Sequence, residues 1–181
     1  MSALVKHLSR YADYHQKGHN VATHIVGIPL IVFGVAVLTS RPIIILEAVA
    51  ITPAMAISAA AALFYLRLDA RLGMIMTALL ALAAWAGLEV ARGATTSWLA
   101  IGLGSFIVGW LFQIVGHYLE GKKPAFIDDV SGLIIGPIFV VAEIGFLCGM
   151  RLPLKKAMQD DAVSRGSVQP RDATADGSAF R

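Results

Sequence analysis

The fold is decided around residues 14–24, which read YHQKGHNVATH and run directly into a long apolar stretch that begins at Ile25. Three of the five histidines in the chain, His15, His19 and His24, fall within this short segment. Imidazole is a common metal ligand in proteins. Histidines clustered where a long apolar run begins therefore predict a metal site.

The composition of the chain is that of an integral membrane protein. Hydrophobic residues make up 57% of the 181 residues and charged residues only 15%, whereas about 25% charged is typical of soluble domains. The chain has room for four or five apolar segments, each of about 20 residues, the length that crosses about 30 Å of hydrocarbon. We therefore predict an all-α integral membrane helical bundle. The lipid bilayer is its expected environment, and no nucleic-acid partner is expected.

The apolar segments can be bounded by the residues that flank them. Leu4, Leu8, Tyr11 and His15 recur at helical spacing, which predicts an amphipathic helix along the headgroups. Spans are expected at residues 22–39, 43–66, 73–91 and 95–120. The last apolar run, residues 130–150, contains Gly136-Pro137 and is expected to be broken or re-entrant.

A second group of polar residues lies at the end of the fourth span. Gln113, His117 and Glu120 are spaced i, i+4 and i+7, so they share one face of a helix. If the first four runs all cross the membrane, the start of the first and the end of the fourth lie on the same side. His15, His24, His117 and Glu120 are therefore expected to meet there.

The distribution of basic residues predicts the orientation of this site. The side that carries the histidines also carries Lys6, Arg10, Lys17, Arg67, Arg71, Lys122 and Lys123, against Arg41 and Arg92 on the other side. Short loops rich in Lys and Arg stay in the cytoplasm. The histidines are thus expected to face the cytoplasm.

The residue types also limit the chemistry. Imidazole and carboxylate ligands that leave open coordination positions suit Fe(II), and zinc suits the same ligands. Asn20 and Gln113 are expected either to orient a ligand imidazole or to form ordinary hydrogen bonds between helices. Glu143, an acid deep in an apolar run, is expected to be functional, whereas Asp128 fits a solvated loop and a site role equally well.

These residues resemble a known family of small membrane proteins, the Mpo1-like, iron-dependent 2-hydroxy fatty acid dioxygenases. The resemblance covers roughly residues 4–153. It rests on Tyr14-His15, Asn20, His24, Gly27, Pro29, Gln113, Gly116-His117, Glu120, Pro124-Ala125, Asp128, Gly136-Pro137 and Glu143.

The resemblance implies an enzyme that uses Fe(II) and O₂ to shorten 2-hydroxy fatty acids by one carbon. It implies metal ligation by His15, His24 and His117, and catalytic roles for Glu120, Asp128 and Glu143. Whether Glu120 binds the metal directly stays open, and His19 receives no role.

The resemblance also bears on organisation and location. It implies a membrane-embedded catalytic domain in residues 1–153, and the polar residues 154–181 are expected to form a disordered tail. The expected location is the inner membrane of a bacterium or the endoplasmic reticulum of a eukaryote. A homo-oligomer is left open.

Other classes of function fit parts of the same pattern. His15 and His19 imitate one box of the di-iron membrane hydroxylases, but that site uses about eight histidines and this chain has five. A zinc-dependent membrane lipid hydrolase would use similar ligands without O₂. A non-enzymatic membrane organiser would use the small residues only for helix packing.

Overall fold

A computed structural model describes residues 2–46, 49–121 and 131–167. Its elements, in chain order, are α1 (Ala3–Ala12), α2 (Gly18–Leu38), β1 (Ile44–Leu46), β2 (Val49–Ile51), α3 (Pro53–Leu68), α4 (Ala70–Ala91), α5 (Thr95–Glu120), α6 (Gly132–Leu147) and α7 (Leu152–Ser164). The predicted all-α membrane class is confirmed. The chain forms two compact units, one of Met1–Ile25 with Gln113–Arg181 and the other of Val26–Phe112.

Three of the predicted spans are present as single helices. Within the described residues, α2, α4 and α5 are long and apolar enough to cross a membrane, with 21, 22 and 26 residues. Helix α2 begins at Gly18 instead of Ala22, and α4 begins at Ala70 instead of Gly73. Hydrophobic length therefore identified these helices. The start of α4 is set by Asp69, whose side chain accepts a hydrogen bond from the backbone nitrogen of Leu72.

The predicted span at residues 43–66 is wrong. The chain instead forms an antiparallel hairpin, in which Ile44 pairs with Ile51 and Ile45 with Ala50. Helix α3 then begins at Pro53 and has only 16 residues, about 24 Å at 1.5 Å per residue. Proline is favoured in the first turn of a helix but disrupts the hydrogen bonds of a helix interior. The β-branched residues before Pro53 favour strands.

The last apolar run is broken, as predicted, but at a different point. Helices α6 and α7 meet at an angle of 117°, and Pro137 lies inside α6. The break contains Gly149 and Arg151, which both have positive φ angles of 72° and 57°. Glycine tolerates that backbone region without strain, so the chain turns there.

The expectation of a disordered tail from residue 154 is wrong for residues 154–164, which belong to α7. This helix buries Met158, Asp161 and Ala162 and packs against α1. The polar composition predicted disorder because it gives no sign of this tertiary partner.

Helix α1 also differs from the expectation. It ends at Ala12, so His15 lies beyond it, and its apolar residues Leu4, Leu8 and Tyr11 are buried within the protein. They face α6 and α7, which contact α1, and not the lipid headgroups. The periodicity of α1 does give an apolar helix face, but that face is covered by protein.

Glycines allow α2 and α5 to approach closely within the unit formed by Val26–Phe112. A Cβ added at Gly109 would lie 2.7 Å from the carbonyl oxygen of Gly27, and one added at Gly34 would lie 2.7 Å from the backbone nitrogen of Phe106. Small residues are typical of membrane helix contacts because they let backbones touch. Side chains at these positions are excluded by neighbouring backbone.

The substitution Gly109→Ala should destabilise the protein by about 1–3 kcal/mol, the usual range for overpacking. The matched control is Gly104→Ala on the same helix, where an added Cβ meets no atom within 4 Å in the described structure. Unfolding in mixed detergent micelles, titrated with a denaturing detergent, measures both variants. Equal loss of stability in the two would contradict the proposed close contact.

Candidate metal centre

Two buried histidines are held by backbone carbonyls. The Nδ1 atom of His15 lies 2.7 Å from the carbonyl oxygen of Tyr11, and Nδ1 of His24 lies 2.8 Å from that of Asn20. A carbonyl oxygen only accepts hydrogen bonds, so each Nδ1 must carry the proton. When the rings are neutral, the lone pair of each ring is therefore on Nε2.

The Nε2 atoms of His15 and His24 lie only 2.9 Å apart. Two lone pairs at this distance repel each other unless a proton or a metal ion lies between them. Two nitrogen ligands with metal bonds of about 2.1 Å are about 3 Å apart when the bonds are perpendicular. The spacing of this pair fits two ligands of one ion.

His117 completes a set of three donors. One ligand atom from each of His15, His24 and His117 lies within 4.8 Å of the others, and all three residues are buried. Nδ1 of His117 has no hydrogen-bond partner within the described residues. The structure therefore brings together the three predicted ligands, and their binding of a metal stays a prediction.

The three histidines come from different local structures. His15 lies in the segment between α1 and α2, His24 in the second turn of α2 and His117 in the last turn of α5. The ring of His15 stacks on Tyr11, with 4.2 Å between centroids, and Phe139 of α6 lies 5.6 Å away. Burial raises the pKa of the Tyr11 hydroxyl far above its usual range, so this wall of the site stays neutral.

The carboxylate of Glu120 accepts hydrogen bonds from other residues of the protein. One carboxylate oxygen accepts hydrogen bonds from the backbone nitrogens of Gln16 at 2.7 Å and Lys17 at 3.4 Å, and the other accepts from the side-chain amide of Asn20. A negative charge is favourable at the N-terminus of a helix, and these donors surround the start of α2. The contacts give Glu120 a positioning role, since they join the end of α5 to the start of α2.

Asn20 and Gly116 set the distance between these two helices. Asn20 is fully buried, and its carbonyl oxygen orients His24 while its side chain contacts Glu120. A Cβ added at Gly116 would collide with the side chains of Asn20 and Thr23. Glycine at position 116 is therefore what lets the neighbouring His117 come close to His24.

The remaining predicted residues are less directly connected to the histidines. Gln113 is buried, but its Nε2 atom has no partner within the described residues, so the structure does not show it orienting an imidazole. Glu143 is buried too, with Oε2 unpartnered in the same part of the chain. It lies one helical turn from Phe139, on the same face of α6. Asp128 lies outside the described residues, and His19 is exposed.

The aromatic contacts of His15 were not predicted as part of the site. Tyr11 was assigned only to the apolar face of α1, although its spacing of four residues from His15 was visible in the sequence. Phe139 carries no signal of its own, since it is one of many apolar residues in its run. Its place beside His15 depends on the packing of α6.

Comparisons with known proteins identify the family of the chain. A family model described as "2-hydroxy-palmitic acid dioxygenase Mpo1-like" matches residues 1–147. The chain is 31% identical over 156 residues to the 2-hydroxy-palmitic acid dioxygenase MPO1 of Saccharomyces cerevisiae, and the alignment covers 85% of this chain and 86% of that relative. No solved structure gives a significant match.

The contacts of Glu120 predict different outcomes for two substitutions. Glu120→Ala removes the acceptor for the backbone of Gln16 and should lower metal affinity on the order of 10- to 100-fold, as loss of a supporting contact does. Glu120→Gln should retain most of the affinity, because its side-chain oxygen can still accept the hydrogen bond from the backbone nitrogen of Gln16.

Competition with a coloured chelator measures the affinity of both variants. The control is Glu89→Ala, which removes an exposed acid on α4 that pairs with Arg92. If Glu120→Gln loses metal as completely as Glu120→Ala does, Glu120 is a direct ligand and the positioning role is wrong.

Proposed function

The chain belongs to the Mpo1-like family of 2-hydroxy-palmitic acid dioxygenases, and on that premise we propose that it is an Fe(II)-dependent enzyme that shortens 2-hydroxy fatty acids by one carbon. The observation that supports this proposal most directly is the set of buried donors on His15, His24 and His117. The relative in yeast is named for a 2-hydroxy acid, 2-hydroxy-palmitic acid, and we assign the same class of substrate to this protein.

The three histidines are suited to hold a single iron. Three imidazole donors leave coordination positions open for other groups, as mononuclear Fe(II) oxygenases require. Iron held there would supply the redox chemistry that lets O₂ react with the 2-hydroxy acid. The hydrogen bonds from His15 to Tyr11 and from His24 to Asn20 keep the proton of each neutral ring on Nδ1 and leave both Nε2 lone pairs available to a metal ion.

The overall reaction balances without another reductant. A 2-hydroxy acid and O₂ give the fatty acid that is one carbon shorter, carbon dioxide and water. The bond between C1 and C2 breaks, C2 is oxidised from an alcohol to a carboxylic acid, and C1 leaves as carbon dioxide. All four electrons that reduce O₂ come from the substrate.

The location of the donors fits a lipid substrate. His24 lies in the second turn of α2, and His117 in the last turn of α5, so both are near the ends of helices long enough to cross a bilayer. A fatty acid in a bilayer has its carboxylate at the interface and its chain in the hydrocarbon. The reacting carbons, C1 and C2, are at that same depth.

The basic residues indicate which side of the membrane the proposed site faces. Lys6, Arg10 and Lys17 are exposed in or next to the segment that carries His15. We assign this side to the cytoplasm, because basic loops remain there. The membrane is then the inner membrane of a bacterium or the endoplasmic reticulum of a eukaryote.

The first test is the stoichiometry of metal and oxygen. Protein purified without air should hold about one iron per chain, since three histidines suit a mononuclear site. With 2-hydroxypalmitate labelled at the carboxyl carbon, O₂ uptake should equal the release of labelled carbon dioxide and of the shortened acid. Stoichiometric zinc with ester or amide hydrolysis in the absence of O₂ would support the lipid hydrolase instead.

The second test separates the ligands from their neighbours. His15→Ala, His24→Ala and His117→Ala each remove an imidazole donor and should abolish both iron binding and activity. Gln113→Ala should reduce iron affinity or activity by no more than about 10- to 100-fold, because the direct donors remain.

His19→Ala is the matched control, because His19 is an exposed histidine of the same segment. Iron content and turnover should match the unaltered protein. Loss of iron in this variant, with iron retained in His117→Ala, would refute the assignment. A cellular function that survives in all the histidine variants would instead favour the non-enzymatic membrane organiser.

A further inference from the structure

Helix α7 lies entirely after residue 147, where the family match ends. It nevertheless makes a buried polar contact with α1 near the N-terminus. The hydroxyl of Ser9 donates a hydrogen bond to the carboxylate of Asp161, and both residues are buried. Burial of a carboxylate is costly unless it is hydrogen-bonded or paired, so this contact fixes which face of α7 meets α1.

Arg165 extends the contact to the end of α1. Its Nε atom donates to Asp161 at 2.8 Å, and one terminal nitrogen donates to Ser9 at 3.2 Å. The guanidinium also forms an ion pair with Asp13, the residue that caps the C-terminus of α1. A planar guanidinium can bind several acceptors in a fixed geometry. Arg165 therefore ties two turns of α1 to α7.

The end of α1 in turn determines the position of His15. The carbonyl oxygen of Tyr11 accepts the hydrogen bond from Nδ1 of His15, and the two rings stack with planes 9° apart. The backbone nitrogen of His15 also donates to the carbonyl oxygen of Ala12 at 2.9 Å. A displacement of α1 would therefore move His15 away from His24 and His117.

Helix α1 is too short to hold its own position. It has 10 residues, fewer than the about 12–15 that an isolated helix needs to be even marginally stable in water. Its stability must come from packing against α6 and α7, the helices it contacts. Within the described structure, the polar part of that packing comes from Ser9, Asp13, Asp161 and Arg165.

We infer that Asp161 and Arg165 are positioning residues of the metal centre, which hold α1 in place and through it keep His15 within the donor set. This inference rests on the proposed metal site and extends it to a helix beyond the matched family region. In the described part of the chain, no hydrogen bond or ion pair joins either residue to His15, His24 or His117, so both act through α1.

The test measures the affinity of the full-length protein for Co(II), an ion that the same nitrogen donors bind and whose visible spectrum reports its coordination. Asp161→Ala and Arg165→Gln should lower this affinity on the order of 10-fold or more, the effect of losing a supporting contact. The spectrum of the bound ion should change as well. A purely structural role would lower the unfolding temperature without either change in the folded protein.

Two variants serve as controls. Asp160→Ala removes an exposed acid one residue away and should bind Co(II) as the unaltered protein does. Asp161→Asn keeps an oxygen that accepts from Ser9 and Arg165, so it should restore most of the affinity lost in Asp161→Ala. If Asp161→Ala does not fold, Ser9→Ala and Arg165→Gln decide the outcome.

The possible results separate this inference from the proposed function. Folded Asp161→Ala and Arg165→Gln variants that bind Co(II) with unchanged affinity and spectrum would overturn the positioning role alone. Unaltered protein that binds neither Co(II) nor iron would overturn the metal site and the positioning role together. Reduced affinity in both variants, with Asp160→Ala unaffected, supports the inference.

Discussion

The carboxylate of Glu120 links the two helix ends that lie next to the histidines. It stands at the end of α5 and accepts hydrogen bonds from the backbone of Gln16 and the side chain of Asn20, at the start of α2. Helix starts have backbone nitrogens without partners inside the helix, and a buried carboxylate needs donors. Each group therefore satisfies the other. The two helix ends that carry His24 and His117 are joined by this mutual requirement.

A second constraint follows from the protonation of the imidazoles. Backbone carbonyls fix the protons of His15 and His24 on Nδ1, so their Nε2 atoms face each other at 2.9 Å as acceptors. Without a positive charge this arrangement is repulsive, and burial removes the water that would otherwise solvate the lone pairs. The metal ion of the proposed function would supply that positive charge. The contacts to the carbonyl oxygens of Tyr11 and Asn20 keep the proton of each ring on Nδ1 and so leave both Nε2 lone pairs unprotonated.

The support for the site comes from both ends of the chain. Helix α1 carries Tyr11, and α7 holds α1 through Ser9 and Asp161. Local sequence is a poor guide to such contacts. The periodicity of α1 indicates an apolar face but not whether lipid or protein covers it. Likewise, the polar composition of residues 152–164 does not indicate α7, because the order of that helix depends on packing against α1.

The sequence by itself determined the membrane class, three of the spans and the three histidines that meet. Transfer of an apolar segment into a bilayer depends mainly on the composition of about 20 consecutive residues, so α2, α4 and α5 can be read locally. The residue types singled out His24 and His117, but the span count that placed them on one side included residues 43–66, which do not form that span. The tertiary structure is therefore what shows that the two histidines meet. Only the tertiary structure decided that Ile44–Leu46 and Val49–Ile51 pair as antiparallel strands before α3 and that Glu120 is turned toward Gln16 and Asn20. It also decided that α7 packs on α1, because each of these outcomes depends on partners that lie elsewhere in the chain.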